Sequence, residues 1–272
     1  MTEWDAAGYA HISALQQAMA EEVLALLQLV GSERVLDVGC GEGKITAQIA
    51  ARTPRGSVLG IDPSRGMIQF ARDHFGAGAP NLRFEVGEAQ RLSFHEEFEL
   101  AVSFNALHWV PEQEAALQAM RASLKPNGRA QLRLVAVGAR QSLESVVEEV
   151  RSASEWRAYF EDFHDPYLRL TPEEYAALAE RNGFRVLHPE TRDHAWDFGS
   201  RTAFAAFCAV GLVAWTDRIP ATQRPKFLNA VLDHYRRVAA DETGGENTFK
   251  FYQMDILLMA SSARDASAVT RC

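Results

Sequence analysis

Four short stretches hold the residues best suited to chemistry: "VLDVGCGEGKIT" (35–46), "GIDPS" (60–64), "VGEAQ" (86–90) and "SFNALHWV" (103–110). The first sets Asp37, Gly39, Gly41 and Gly43 at the turn between an apolar run and a helix-like segment. Glycines let the backbone turn tightly and let a ligand approach without meeting a Cβ, and the helix that follows presents free N–H groups. A dinucleotide site uses a similar loop, but it separates its last two glycines by two residues. Here only Glu42 lies between Gly41 and Gly43, and Lys44 takes the place of the third glycine. A pyrophosphate would face Asp37 and Glu42, whereas a cationic ligand would be favoured. Asp62 follows at about the 20-residue interval that suits a ribose-binding acid. Glu88 ends the next apolar run, where it can accept from an adenine amino group. Taken singly, Asp62 could cap a helix and Glu88 could be a solvated acid. In register they describe a nucleoside site without a phosphate site.

The fourth stretch is unusual for a loop. It follows "FELAV", which reads as a buried strand, yet it places Asn105, His108 and Trp109 where a polar turn would be expected. What these residues do depends on the elements that position them. Residues 11–30 carry Ile12, Leu15, Met19, Val23, Leu26, Leu27 and Val30 at helical spacing. "RVLDVGC", "SVLGIDP", "LRFEVGE", "FELAVSF" and "RAQLRLVAV" then read as strands separated by helix-like segments, "PEQEAALQAMRASLKPNG" among them. This alternation predicts an α/β fold with a parallel sheet and helices on both faces.

After residue 139 the pattern changes. "RQSLESVVEEVRSASEWRAYFEDF" reads as one helical segment, with Trp156, Tyr159, Phe160 and Phe163 at i, i+3, i+4 and i+7. Thr171 and Glu174 form a capping-box pattern ahead of "AALAERNGF". "FRVLHPETRDHAWDF" reads as a strand, helices follow at roughly 200–216 and 221–240, and "TFKFYQMDILLMA" reads as a closing strand. We expect one domain over 1–260. Its core spans about 31–138, helical cap elements span about 1–30, 140–180 and 200–240, and 261–272 forms a fraying tail.

Composition excludes several function classes. The 272-residue chain carries a net charge of −8, with a pI near 5.5. Nucleic-acid binding needs clustered Lys and Arg, so such a partner is disfavoured. Cys40, Cys208 and Cys272 lack paired spacing, against a disulfide framework or a zinc site and for a reducing compartment. The N-terminus has no basic segment followed by an apolar one. The longest apolar stretch, 202–215, is too short to span a bilayer. These features point to a cytoplasmic protein without a metal.

Residues 33–138 resemble class I S-adenosylmethionine-dependent methyltransferases. The Asp-x-Gly-x-Gly-x-Gly loop, the ribose acid, the adenine-side acid and the "LKPNG" turn occur in that order. The resemblance implies a Rossmann-like sheet and S-adenosyl-L-methionine as cofactor. It places Asp37 and the glycine-loop backbone at the methionine end, Asp62 at the ribose, and Glu88 with Ala89 at the adenine. It adds contacts from Tyr9, Pro63, Met67, Phe104 and Asn105.

"FELAVSFNALHWV" resembles juvenile hormone acid methyltransferases and, more loosely, trans-aconitate methyltransferases, both of which act on carboxylates. "WDAAGYAHISALQQ" matches a Trp, Tyr and Gln pattern in those proteins, and "SASEWRAYFEDF" resembles the helical cap of the juvenile hormone group. No Asn/Asp-Pro-Pro-aromatic motif of amino-methylating enzymes is present. By this resemblance Gln16 and Trp109 hold a substrate carboxylate, although Asn105 departs from the juvenile hormone pattern. A carboxylate with a pKa near 4 is ionised at neutral pH and needs no base. It needs alignment, which can supply roughly 7–11 kcal/mol of a barrier. Indole N–H only donates, and the Gln amide can donate too.

His108 is either a third polar contact, a base for a hydroxyl or phenol acceptor, or a residue satisfied by backbone. Trp109 and the late aromatics could equally be core. The leading reading is methyl transfer to a small, largely apolar carboxylic acid. The others are an O- or C-methyltransferase acting on a phenolic, hydroxyl or carbon centre, and a catalytically silent S-adenosylmethionine-binding partner protein.

Overall fold

The computed structural model describes residues 13–239 and 245–261, with the backbone alone for 13–18 and 238–239. Short runs of branched apolar residues form the first four strands: β1 (Arg34–Val38), β2 (Ser57–Asp62), β3 (Leu82–Val86) and β4 (Phe98–Phe104). β5 (Leu124–Ala136) is longer and incorporates the "LKPNG" segment, with Asn127 at a φ of 62°. These five strands pair in parallel. β6 (Phe184–Asp197) and β7 (Thr248–Ala260) are the two late strands expected from sequence. β7 inserts antiparallel between β5 and β6, so the sheet is mixed rather than wholly parallel. The strand order is β3-β2-β1-β4-β5-β7-β6. Because β1 lies between β2 and β4, connections leave it in opposite directions, and the carboxyl ends of β1 and β4 open a crevice.

Both faces of the sheet are covered. Val35, Val58, Leu100 and Val102 pack against Val23 and Leu24 of α1 (Ser13–Leu26), Ile49 of α2 (Lys44–Arg52) and Ile68 of α3 (Arg65–Phe75). The alternate residues Leu36, Val38 and Ala101 face the other way, against Ala116, Leu117 and Met120 of α4 (Gln113–Ser123). This is the α/β Rossmann-like architecture expected from the alternating pattern.

The late region departs from expectation in two places. Helix α5 (Leu143–Ser152) stops at Ala153, and the aromatic stretch continues only as a turn and a short 3₁₀ helix at Arg157–Phe160. The spacing of Trp156, Tyr159, Phe160 and Phe163 therefore does not mark one continuous helix. Helix α6 (Pro172–Arg181) does begin with the Thr171–Glu174 capping box. However, its Tyr175, Leu178 and Ala179 join the sheet core beside Phe184, so α6 is not part of the cap. The cap cluster instead combines α5, α7 (Arg201–Gly211), α8 (Val213–Thr216) and α9 (Arg224–Ala239) with Trp156, Phe160 and Tyr167. Phe249 and Phe251 of β7 join it from the sheet side. No helix among the described residues is long and apolar enough to cross a membrane.

Candidate active site

The glycine loop is fixed to the end of β2. The backbone N–H groups of Gly39 and Cys40 both donate to the Ile61 carbonyl, at 2.8 and 2.9 Å. Gly39 has a φ of 79°, and a Cβ there would collide with Ala106 Cβ. The loop after β1 thus touches the stretch after β4. Gly43 has a φ of 85°, and a Cβ there would lie 2.7 Å from Ala71 Cβ and 2.8 Å from the Phe84 ring. Only glycine meets both demands. At Gly41 an added Cβ would meet nothing within 4 Å, so its backbone lies open on the cavity side.

Two carboxylates organise this end. Asp62 Oδ2 accepts from Gly41 N–H at 3.0 Å, and Oδ1 accepts from Ser64 N–H at 2.9 Å. Ser64 in turn caps α3 by accepting from Met67 N–H. Asp62 therefore ties the glycine loop to the start of α3. Asp37 is 2% exposed, and its Oδ2 accepts from the Thr46 hydroxyl at 2.7 Å. Burial raises its pKa to about 7, opposed by the Thr46 hydrogen bond and reinforced by the charges of Asp62 and Glu42. Burial also raises the Glu42 carboxyl. Three acids gathered around open backbone make a seat for a cation rather than a phosphate. Glu88 is half-buried, pairs with Arg91 at 3.2 Å, and lies beside the buried Ala89.

A cavity of about 920 Å³ runs from this loop past Asn105, His108 and Trp109 and under the cap. Ligand sites span roughly 300–1,000 Å³, so the space suits a cofactor and a second molecule together. Asn105 opens the far half with a φ of 55°, a conformation asparagine tolerates. Its N–H donates to the Arg133 carbonyl at 2.8 Å. The 3₁₀ turn Leu107–Trp109 is braced by Gln113, whose amide donates to the carbonyls of Leu107 and Val110 at 2.5 and 2.6 Å.

His108 is 4% exposed, and its Nδ1 accepts from Val135 N–H at 3.3 Å. Burial lowers its pKa to about 3, so the imidazole is neutral at pH 7. Trp109 is half-buried, with its ring edge-on to Tyr167 at 4.9 Å and to Trp215 at 5.9 Å. The cap contributes mostly apolar wall, including Leu143, Phe163, Phe207 and Phe249. Glu144 is the exception: a buried carboxyl whose pKa burial raises.

The structure gathers Asp37, Gly39, Gly41, Asp62, Pro63, Met67, Glu88, Ala89, Phe104, Asn105, His108 and Trp109 around one cavity. Gly43 stands behind the loop as the N-cap of α2. Tyr9 lies outside the described residues. So does the side chain of Gln16, although the helix that carries it lines the cavity through Met19, Ala20 and Val23. Sequence reasoning missed Thr46, Tyr167, Glu144 and Gln253. Thr46 had a local signal, a hydroxyl one helical turn past the loop. The others come from segments whose approach only the tertiary fold reveals.

Known proteins share this framework. Residues 35–128 match the methyltransferase domain family. A trans-aconitate 2-methyltransferase of Deinococcus radiodurans is 33% identical over 184 residues, covering 66% of this chain and 69% of the relative. The chain belongs to the class I S-adenosylmethionine-dependent methyltransferases. Its group includes the trans-aconitate 2-methyltransferases, and S-adenosylmethionine is its cofactor. A protein of Invertebrate iridescent virus 6 named as methyltransferase 235L is 23% identical over 232 residues, 85% of each chain. In fold, the chain is similar to a solved Bacillus halodurans structure titled as a methyltransferase. The TM-score is 0.64 at 16% identity, covering 89% of this chain and 99% of that one. The open Gly41 backbone and the surrounding acids fit a cationic nucleoside.

Proposed function

We propose that this methyltransferase esterifies a small, largely apolar carboxylic acid. Bound S-adenosylmethionine supplies an electrophilic methyl group on a positively charged sulfur. A carboxylate oxygen gains that methyl as the carbon–sulfur bond breaks, the two opposite charges are cancelled, and no proton moves. The observation carrying this reading is in the acceptor half of the cavity, where His108 is buried, its Nδ1 is taken up by the Val135 N–H, and burial lowers its pKa to about 3. A phenol with a pKa near 10 would find a poor proton acceptor in His108, whereas an ionised acid needs none.

The residue roles in this reading are those the family resemblance implies, and the places of the described residues around the cavity support them. Asp62 serves the ribose, Glu88 with Ala89 the adenine, and Asp37 with the glycine-loop backbone the cationic end. Pro63, Met67 and Phe104 complete the wall. Trp109 and Gln16 donate to the acceptor carboxylate. Position 16 precedes Met19, Ala20 and Val23 by three, four and seven residues, the spacing of one helix face. The Deinococcus radiodurans relative is named for methylating trans-aconitate, a polycarboxylate. Among the described cavity residues here, Lys and Arg occur only as Lys44, at the start of α2, and Arg91, in the 3₁₀ turn after β3. Two further carboxylates at the apolar end would lack counter-charges, which favours a monocarboxylic acid.

The test is incubation with labelled S-adenosylmethionine and fatty, terpenoid, aromatic and polycarboxylic acids, followed by analysis for methyl esters. Methyl esters of apolar monocarboxylic acids are expected. Labelled ethers of phenols or alcohols, with no ester, would overturn the reading.

A further inference from the structure

The orientation of the Asn105 amide is set by a residue far away in sequence. Gln253, on β7, is 1% exposed and reaches Asn105 from beneath. Its Nε2 lies 3.3 Å from the Leu134 carbonyl and 2.8 Å from Asn105 Oδ1. A carbonyl oxygen can only accept, so Leu134 requires the nitrogen of the Gln253 amide to point its way. The second proton on that nitrogen must then meet an acceptor, which fixes Asn105 with its oxygen toward Gln253. Reversing Gln253 would oppose its oxygen to the Leu134 carbonyl. The cost of this orientation is visible: Gln253 Oε1 is buried without a partner.

Asn105 Nδ2 has no hydrogen-bond partner among the described residues, and it is not among the buried unpartnered atoms. It is therefore open, on a residue that lines the cavity. We propose that Gln253 is a positioning residue that turns the Asn105 amide so that its N–H donors meet the oxygens of an anionic acceptor. This rests on the carboxylate reading and deepens it, because it gives the site a donor complementary to an anion. An amine or hydroxyl acceptor would instead be matched by the amide oxygen. It also moves Asn105 from the cofactor, where the sequence resemblance placed it, to the acceptor.

Four variants test this. Asn105→Asp is isosteric, tolerates the same backbone conformation, still accepts from Gln253, and puts an acceptor where the donor was. Gln253→Met keeps the volume and leaves the Asn105 amide free to turn. Asn105→Ala removes the group. Each is assayed for ester formation, for S-adenosylhomocysteine affinity, and for binding of an apolar monocarboxylic acid such as dodecanoic acid to the S-adenosylhomocysteine complex.

For Asn105→Asp, acid binding and kcat/KM are expected to fall about a hundredfold, while S-adenosylhomocysteine affinity stays within about threefold. Gln253→Met should lower kcat/KM about three- to tenfold, chiefly through KM, without loss of thermal stability, since it also removes an unpartnered buried oxygen. Gln253→Glu, which demands a donor from Asn105, should lower acid binding further than Gln253→Met does. The proposal is overturned if Asn105→Asp weakens S-adenosylhomocysteine as much as the acid, or if it leaves acid binding unchanged. It is also overturned if wild type binds no acid. Ester formation by wild type and Asn105→Asp alike would refute the donor and leave the carboxylate reading standing. An acid that binds wild type through Asn105 but is never methylated would do the reverse.

Discussion

The two ends of the cavity are built in opposite ways. The cofactor end is made from neighbours in sequence: Asp37, the glycine loop and Thr46 lie within one strand, turn and helix, and Asp62 bonds back to Gly41. It is rich in carboxylates and in backbone groups aimed at a ligand. The acceptor end brings together the turn after β4, Tyr167, α5, α7 and β7, segments up to about 150 residues apart, and its surface is mostly aromatic and aliphatic. Local hydrogen-bond geometry determines the first end, and long-range packing determines the second. A cofactor site of the first kind can serve many reactions, while replacement of cap side chains alters which acceptor fits.

Arg133 joins the two ends, and disturbing it should break the contrast with the largest effect. Its guanidinium is fully buried, paired with Asp255 at 2.6 and 2.7 Å and with Glu22 of α1 at 3.0 Å, and its carbonyl holds Asn105. Asp255→Ala leaves a buried cation with one half-exposed partner. Loss of one member of such a pair costs roughly 3–5 kcal/mol of stability. Urea denaturation should show a loss in this range, and both cofactor and acceptor binding should weaken. Loss of acceptor binding alone would mean that Arg133 does not support the shared wall.

A reciprocal pair should separate the ends. Asp62→Ala is expected to weaken S-adenosylmethionine by roughly 1.5–3 kcal/mol, read by calorimetry. Trp109→Phe should leave that affinity unchanged while lowering kcat/KM for the acid by roughly 1.5–3 kcal/mol, because the ring stays and only the indole N–H goes. If each substitution lowered both quantities equally, the cavity would be one cooperative site rather than two.

The same contrast governs what could be read from the sequence. The glycines, Asp37 and Asp62 were legible because turn geometry and the needs of a cationic nucleoside constrain residues close together in the chain. The five parallel strands were legible from their apolar runs, and the two late strands from their composition. The cap was less so. Trp156, Tyr159, Phe160 and Phe163 have helical spacing, yet Ala153 ends α5 and Trp156 and Phe160 instead pack against Phe227 of α9, edge-on and tilted respectively. Thr171 and Glu174 specify where α6 begins, but nothing local specifies that Tyr175 packs on the sheet rather than over the cavity. Gln253 could not be found, since its role depends on the Leu134 carbonyl and on Asn105, 148 positions away.

A smaller effect should appear with pH at the cofactor end. Asp37 has a folded-state pKa of about 7, above the ordinary carboxyl value of 3.8, with burial the leading cause. The folded protein therefore binds more protons than the unfolded chain between these values. Its stability without cofactor should fall as pH rises from about 4 to about 7 and level off above that. Binding of a cation beside Asp37 favours the ionised form, so S-adenosylmethionine affinity should rise by up to about tenfold per pH unit below 7 and flatten above it. Calorimetry in buffers of different ionisation enthalpy should register proton release at pH 6. Asp37→Asn should remove most of both the release and the slope, Glu42 supplying the remainder.

The smallest effect is expected from His108, and it is the sharpest test of how the acceptor end works. His108→Asn removes the imidazole but keeps an acceptor near the position of Nδ1, so the Val135 N–H retains a partner. General-base catalysis typically contributes about 10²–10⁴-fold. A group with a pKa of about 3 would contribute little of that at pH 7, and an ionised acid requires none. His108→Asn should therefore lower kcat/KM for an acid by less than about fivefold, through the looser packing of the smaller side chain against Tyr167, from which the imidazole now stands 5.0 Å. The pH–rate profile of wild type should show no inflection near 6–7 that this substitution removes. A fall of several hundredfold, together with loss of an inflection in that range, would make the imidazole the base for a hydroxyl acceptor. The acceptor end would then be organised around proton removal rather than around orientation of an anion.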